Sequence, residues 1–133
     1  MSLTITALYA GLLSLHFIVL SLRVIRTRRE SRVPLGDGGD QALLRSLRVQ
    51  ANFAEYVPLC LILIALAEVQ QLPGWLLHGL GVALLIGRLL HATGVSRDPE
   101  PYRLRVAGMS LTFTVLALGA TLNIGLSIQG LFG

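Results

Sequence analysis

The chain reads as an all-α integral membrane protein, a bundle of four transmembrane helices, and three observations lead there. Hydrophobic residues fill 53% of its 133 positions and charged residues 14%, with a mean hydropathy of +0.70. Four long stretches carry almost no charge, and each can cross roughly 30 Å of hydrocarbon as a helix rising about 1.5 Å per residue. Most of the remaining charges cluster between those stretches or toward one end of them. A soluble domain would need a polar coat that such segments cannot supply, whereas a helix in lipid satisfies its own backbone groups.

The first span runs from Leu3 to Leu22 and is interrupted only by His16. It lacks a basic start and a small-residue cleavage site, so it is expected to remain as a spanning helix rather than be removed as a signal. A polar link follows, carrying Arg23, Arg26, Arg28, Arg29, Glu30 and Arg32 before Pro34 and the turn-forming run Gly36-Asp37-Gly38-Gly39. Asp40 is a plausible N-cap for a second helix over 40–69, closed by Gln70-Gln71-Leu72-Pro73-Gly74. A third helix is predicted over 75–94, then a charged, proline-containing loop, and a fourth over 105–126 with an apolar tail. The whole chain forms one domain.

Short connections make successive helices antiparallel, so the loops after the first and third helices share one face. All eleven basic residues are arginines, and they gather at or near that face. The positive-inside rule therefore makes segments 23–40 and 95–104 cytoplasmic. Arginines that flank apolar spans do not form the soluble basic surface that nucleic acid requires, so no nucleic-acid partner is expected. The lone cysteine, Cys60, lies in an apolar run and reads as a buried spectator thiol. Small residues recur at four-residue spacing in Ala7 and Gly11, and in Gly79, Ala83 and Gly87. They allow close helix approach, either within one bundle or between subunits.

The second helix carries the chemistry. Arg45, Arg48, Asn52, Glu55 and Tyr56 recur at steps that form one stripe at about 100° per residue. A charge inside the membrane costs roughly 2.5 to 3.5 kcal/mol on insertion scales, so the stripe must face protein, water or a polar ligand. Arg48 and Glu55 are separated by about 10 Å of helix rise, too far for easy pairing with each other. Arg88 and His91 stand one turn apart on the third helix, and Arg105 opens the fourth at the same level. With Arg28 and Arg48 they are expected to line a cationic cavity suited to a small anion with several carboxylates, held by bidentate arginine contacts, with Glu55 receiving a ligand ammonium.

These residues resemble the family of membrane-associated proteins in eicosanoid and glutathione metabolism, which includes microsomal glutathione transferases, leukotriene C4 synthase and microsomal prostaglandin E synthase. The likeness is carried by Arg48-x-x-x-Asn52-x-x-Glu55-Tyr56-x-Pro58, by the arginines around Arg28 and by Gly87-Arg88-x-x-His91. It covers essentially the whole chain. The Gly36-Asp37-Gly38-Gly39 loop and the Ala107-Gly108-Met109-Ser110 segment are most similar to the short bacterial branch, which implies a bacterial inner membrane. The resemblance further implies a homotrimer of four-helix subunits that binds glutathione as co-substrate between neighbours, near the cytoplasmic face. Arg28, Arg48, Gln50, Asn52, Glu55, Tyr56 and His91 would hold the tripeptide, Gln50 from the neighbouring chain. Arg105 would stand beside the sulfur as the catalytic residue, with Arg103 the alternative. Where relatives carry a tyrosine four residues after the His91 position, this chain has Val95, and Tyr102 is the candidate substitute.

The resemblance thus implies a glutathione-dependent transferase or peroxidase acting on a lipophilic small molecule that enters from membrane lipid. A non-catalytic glutathione- or lipid-binding protein of the same fold is the alternative. A small multidrug-type transporter needs a membrane-embedded acid in its first helix, and the Leu3–Leu22 span has none. His16 has no second ligand at metal spacing and reads as a satisfied packing histidine, so no metal site is expected. Trp75 and His78 read as interfacial rings, and Ser110 and Thr112 as hydroxyls bonded back to their own helix.

Overall fold

A computed structural model describes residues 2–132. Within them the chain forms four helices, α1 Thr4–Ser31, α2 Gln41–Val69, α3 Gly74–Val95 and α4 Tyr102–Phe132, each long and apolar enough to cross a membrane. α2 and α3 pack against each other and against both outer helices, while α1 and α4 do not touch among the described residues. The bundle is therefore a ring in the order α1, α2, α4, α3, with α2 and α3 on its short diagonal.

α1 is longer than its apolar run. Residues 23–31, read from their charge as a link, continue the helix, because arginine, threonine and glutamate carry little penalty there and Arg26 pairs with Glu30 one turn on at 2.8 Å. The helix stops at Arg32, whose φ of 55° is left-handed. At 28 residues, or about 42 Å, α1 overreaches the hydrocarbon and lifts its last arginines out of the lipid. α4 likewise starts earlier and ends later than its apolar core implies, through Phe132.

Asp40 caps α2, its side chain accepting the Leu43 N–H at 2.9 Å. The Ser31 hydroxyl donates to the same carboxylate at 2.6 Å, tying the end of α1 to the start of α2. That bond, with the cap itself, holds the Asp40 carboxyl below its usual pKa. α2 runs on through Pro58, which lacks the N–H that would reach the Ala54 carbonyl.

Leu13, Leu20, Val49, Phe53, Cys60, Ile64, Leu84 and Val115 form the core between the helices. Lipid is as apolar as these side chains, so close fit rather than escape from water holds the bundle. The closest backbone approach is between α3 and α4. A Cβ placed on Gly108 would lie 2.5 Å from the Gly87 carbonyl oxygen and 2.6 Å from the His91 nitrogen. Of the small residues singled out by spacing, Gly87 makes that approach, whereas Gly11 and Gly79 have nothing within 4 Å. The packing partner, Gly108, lies outside the repeat.

The end of the bundle away from the arginine loops is closed by polar bonds. The Glu68 carboxylate accepts from the Ile5 and Thr6 N–H groups at 2.9 and 2.7 Å and from the Thr6 hydroxyl at 2.6 Å. It thus satisfies donors that the start of α1 leaves open. Tyr9 and His78 share a 3.0 Å hydrogen bond, and Asn123 donates to the Leu63 carbonyl at 2.9 Å.

Candidate functional site

The stripe on α2 splits between two environments. Arg48 and Glu55 are exposed on the single chain and have no hydrogen-bond or ion-pair partner among the described residues, whereas Asn52 and Tyr56 are half-buried, Asn52 against Arg88 of α3 and Tyr56 against Phe113 of α4. Glu55 lies about 20 Å along α2 from Glu68, which bonds the start of α1 at the opposite end. With roughly 30 Å of hydrocarbon, that depth leaves Glu55 well inside the membrane. A carboxylate there cannot face acyl chains.

Behind the stripe stands Arg88, only 1% exposed. Its guanidinium donates to Asn52 Oδ1 at 2.6 Å and to the Thr112 hydroxyl at 3.3 Å, lies 3.1 Å from His91 Nδ1, and rests 6.0 Å from the centre of the Phe53 ring. Arg88 reaches these partners because Gly87 and Gly108 let α3 and α4 close around it. A guanidinium only donates, so two assignments follow. His91 accepts at Nδ1 and carries its ring proton on Nε2. Asn52 turns its carbonyl oxygen inward, which leaves its amide N–H donors for a ligand. Tyr56 is held edge-on to Phe113 at 5.5 Å.

Several residues expected in one cationic cavity are apart in the single chain. Arg88 and His91 are sealed in the interior, His91 at 3% exposure, because the α4 approach covers that side of α3. Arg28 turns to the loop after α1 and donates to the Val33 and Gly36 carbonyls at 3.0 and 2.9 Å. Gln50 donates to the Ser21 hydroxyl at 2.9 Å, on the α1 side of α2. Two residues of helix turn it roughly 160° from Asn52. On α2 itself, Gln50 therefore borders the exposed face on the α1 side, and Tyr56 borders it on the α4 side.

Arg105 lies near the start of α4 and donates to Glu100 Oε1 at 3.1 Å, with its guanidinium 5.9 Å from the Tyr102 ring centre. The other Glu100 oxygen accepts from Arg45 at 3.3 Å. Glu100 thus bridges α2 and α4 and draws Arg45 off the stripe. Spacing along α2 could not reveal this, since the partner sits in the loop after α3. Val95 is buried, and Tyr102, the candidate substitute for the missing tyrosine, is exposed beside Arg105.

Thr112 bonds back to the Gly108 carbonyl at 2.9 Å, as read from sequence, and also accepts from Arg88. His16 differs from its reading as a satisfied histidine. It packs 5.8 Å from Phe53, but its Nε2 is enclosed with no partner among the described residues. Cys60 is free and buried.

A family model described as the MAPEG family matches residues 6–125. Over 120 residues, 90% of each chain, the sequence is 36% identical to the inner membrane protein YecN of Escherichia coli, with the same identity and coverage against its counterpart in a second strain. Together with the four apolar helices, these matches make this a multi-pass integral inner-membrane protein.

Proposed function

This chain belongs to the MAPEG family, and on that premise we propose that it is a glutathione-dependent transferase or peroxidase whose site forms between copies in a homotrimer. The observation that carries this reading is the exposed α2 face on which Arg48 and Glu55 are unpaired among the described residues, Glu55 inside the membrane and Arg48 at its edge. A neighbouring copy covers them, and glutathione supplies their counter-charges. Arg48 takes a carboxylate through its guanidinium fork, Glu55 takes the ammonium, and the free N–H donors of Asn52 and the Tyr56 hydroxyl bind the peptide backbone. Arg28 adds a further cation toward the tripeptide's carboxylates, and Gln50 contributes from the adjacent subunit. His91 acts at one remove, as part of the network that holds Arg88 and Asn52.

Arg105 is the residue assigned to the sulfur. The thiolate is the nucleophile, and a pKa lowered by about two units corresponds to roughly 2.7 kcal/mol of preference for it. The thiolate attacks an electrophilic carbon of a lipophilic molecule arriving between helices from the bilayer. A leaving group departs with its bonding electrons, or an activated double bond takes the thiolate by addition and the resulting carbanion takes a proton from water.

One observation favours the second reading, a glutathione-binding protein without turnover: Glu100 already neutralises Arg105 at 3.1 Å. Calorimetry on detergent-purified protein separates the cases when paired with an aryl halide conjugation assay. Glutathione binding should weaken at least about tenfold in Glu55→Ala, the loss of one charge-assisted hydrogen bond. Binding with conjugation supports the enzyme, and binding without it the second reading. Equal affinity in the native chain and Glu55→Ala would remove glutathione from this face.

A further inference from the structure

The side of the bundle opposite the exposed α2 face carries a second cationic feature. Between the arginine-rich ends of α1 and α3 lies a cavity of about 320 Å³, lined by His16, Arg23, Leu89, Thr93, Ser96 and Arg97 among others. Arg23 donates to the Ser96 hydroxyl, and Arg97 makes no side-chain bond among the described residues. Neither has a carboxylate within ion-pair distance, while Glu30, Asp98 and Glu100 at the same end are taken up by Arg26, Arg45 and Arg105. Two uncompensated guanidiniums therefore face one cleft. The carbonyl end of α3 lies there too and repels anions, so only the two arginines can favour one.

The apolar surroundings select the kind of anion. Val19 on α1 and Val82, Ile86 and Leu89 on α3 are exposed below the arginines and continue toward the bilayer centre. A free phosphate ion would reach only the upper level. A phospholipid carries acyl chains beneath its phosphate, so it can meet the guanidiniums and the apolar walls together.

We propose that this α1/α3 groove binds an anionic phospholipid, with its phosphate between Arg23 and Arg97. Basic pockets between spanning helices at a cytoplasmic surface are suited to such headgroups. The site lies away from the α2 face and stands whether or not that face takes glutathione.

The test is native mass spectrometry of the full-length protein in neutral detergent, titrated with phosphatidylglycerol or phosphatidylcholine. Phosphatidylglycerol should half-saturate one site per chain at a concentration about tenfold lower. That preference should vanish in Arg23→Gln and Arg97→Gln and survive in Arg29→Gln, which removes the same charge outside the groove. Arg97 makes no side-chain bond, so its variant remains informative if Arg23→Gln folds poorly. A preference unchanged in Arg97→Gln, or lost equally in Arg29→Gln, overturns the proposal. So does full competition by inorganic phosphate, which would make the ligand a free anion.

Discussion

The two halves of this bundle treat polar groups in opposite ways. Away from the arginine loops, Glu68 bonds the start of α1, Tyr9 meets His78, and Gln70 and Asn123 bond each other and the α2 backbone. In the arginine-rich half, Arg48, Glu55 and His16 Nε2 have no partner among the described residues. Within lipid a polar group is costly until something satisfies it. The first half is satisfied within one chain, whereas the second leaves polar groups open. Position in the bundle thus separates residues that hold the fold from residues that await a partner.

Arg88 joins the two roles, and breaking it should have the largest effect. Arg88→Lys keeps the charge but cannot reach Asn52, Thr112 and His91 at once. Stability in mixed-micelle unfolding should fall by about 2–3 kcal/mol, the scale of a lost charged hydrogen bond, and glutathione binding should weaken as Asn52 loses its orientation. A variant as stable as the native chain would show that the network does not hold the bundle. Next comes Glu68→Gln, which should cost about 1–2 kcal/mol by weakening the bonds to the start of α1 and should leave glutathione affinity unchanged. A change in affinity would mean that the closed half is coupled to the site.

Smaller effects sharpen the picture near the loops. Glu100→Gln frees Arg105 from a carboxylate, so the pKa of a bound glutathione thiol should fall by about one unit, read from thiolate absorbance against pH. No change would argue against Arg105 as the sulfur's neighbour and favour Arg103. The smallest effect belongs to Asp40, whose folded pKa is depressed. Its contribution is present above the unfolded carboxylate value and is lost as pH falls through the folded one. Asp40→Asn keeps a capping oxygen, so it should remove that acid-side dependence in melting curves while changing stability near neutral pH little.

Much of the fold was legible because hydropathy and length alone decide which segments can cross lipid. The ends were not, because charge marks where a chain leaves lipid and does not mark where its helix stops. Arginines at 23–29 are good helix formers that leave the membrane while still helical. In the site, the periodicity of Arg48, Asn52, Glu55 and Tyr56 on one face of α2 was visible at about 100° per residue. The seclusion of Arg88 and His91 was not, since it depends on Gly87 meeting Gly108 across two helices. Nor was the pull of Glu100 on Arg45 and Arg105, because a loop carboxylate has no period to read.

The amino-acid sequence by itself determined that four helices span the membrane, that arginines mark one end and that α2 carries a polar stripe. Each follows from local properties: apolar length, charge and helical repeat. Only the tertiary structure decided which cations are enclosed, which are neutralised and which remain open. That outcome turns on distances of a few ångströms between residues far apart in the chain, because a guanidinium bound to Asn52 and one facing an empty groove are the same letter until their neighbours are placed.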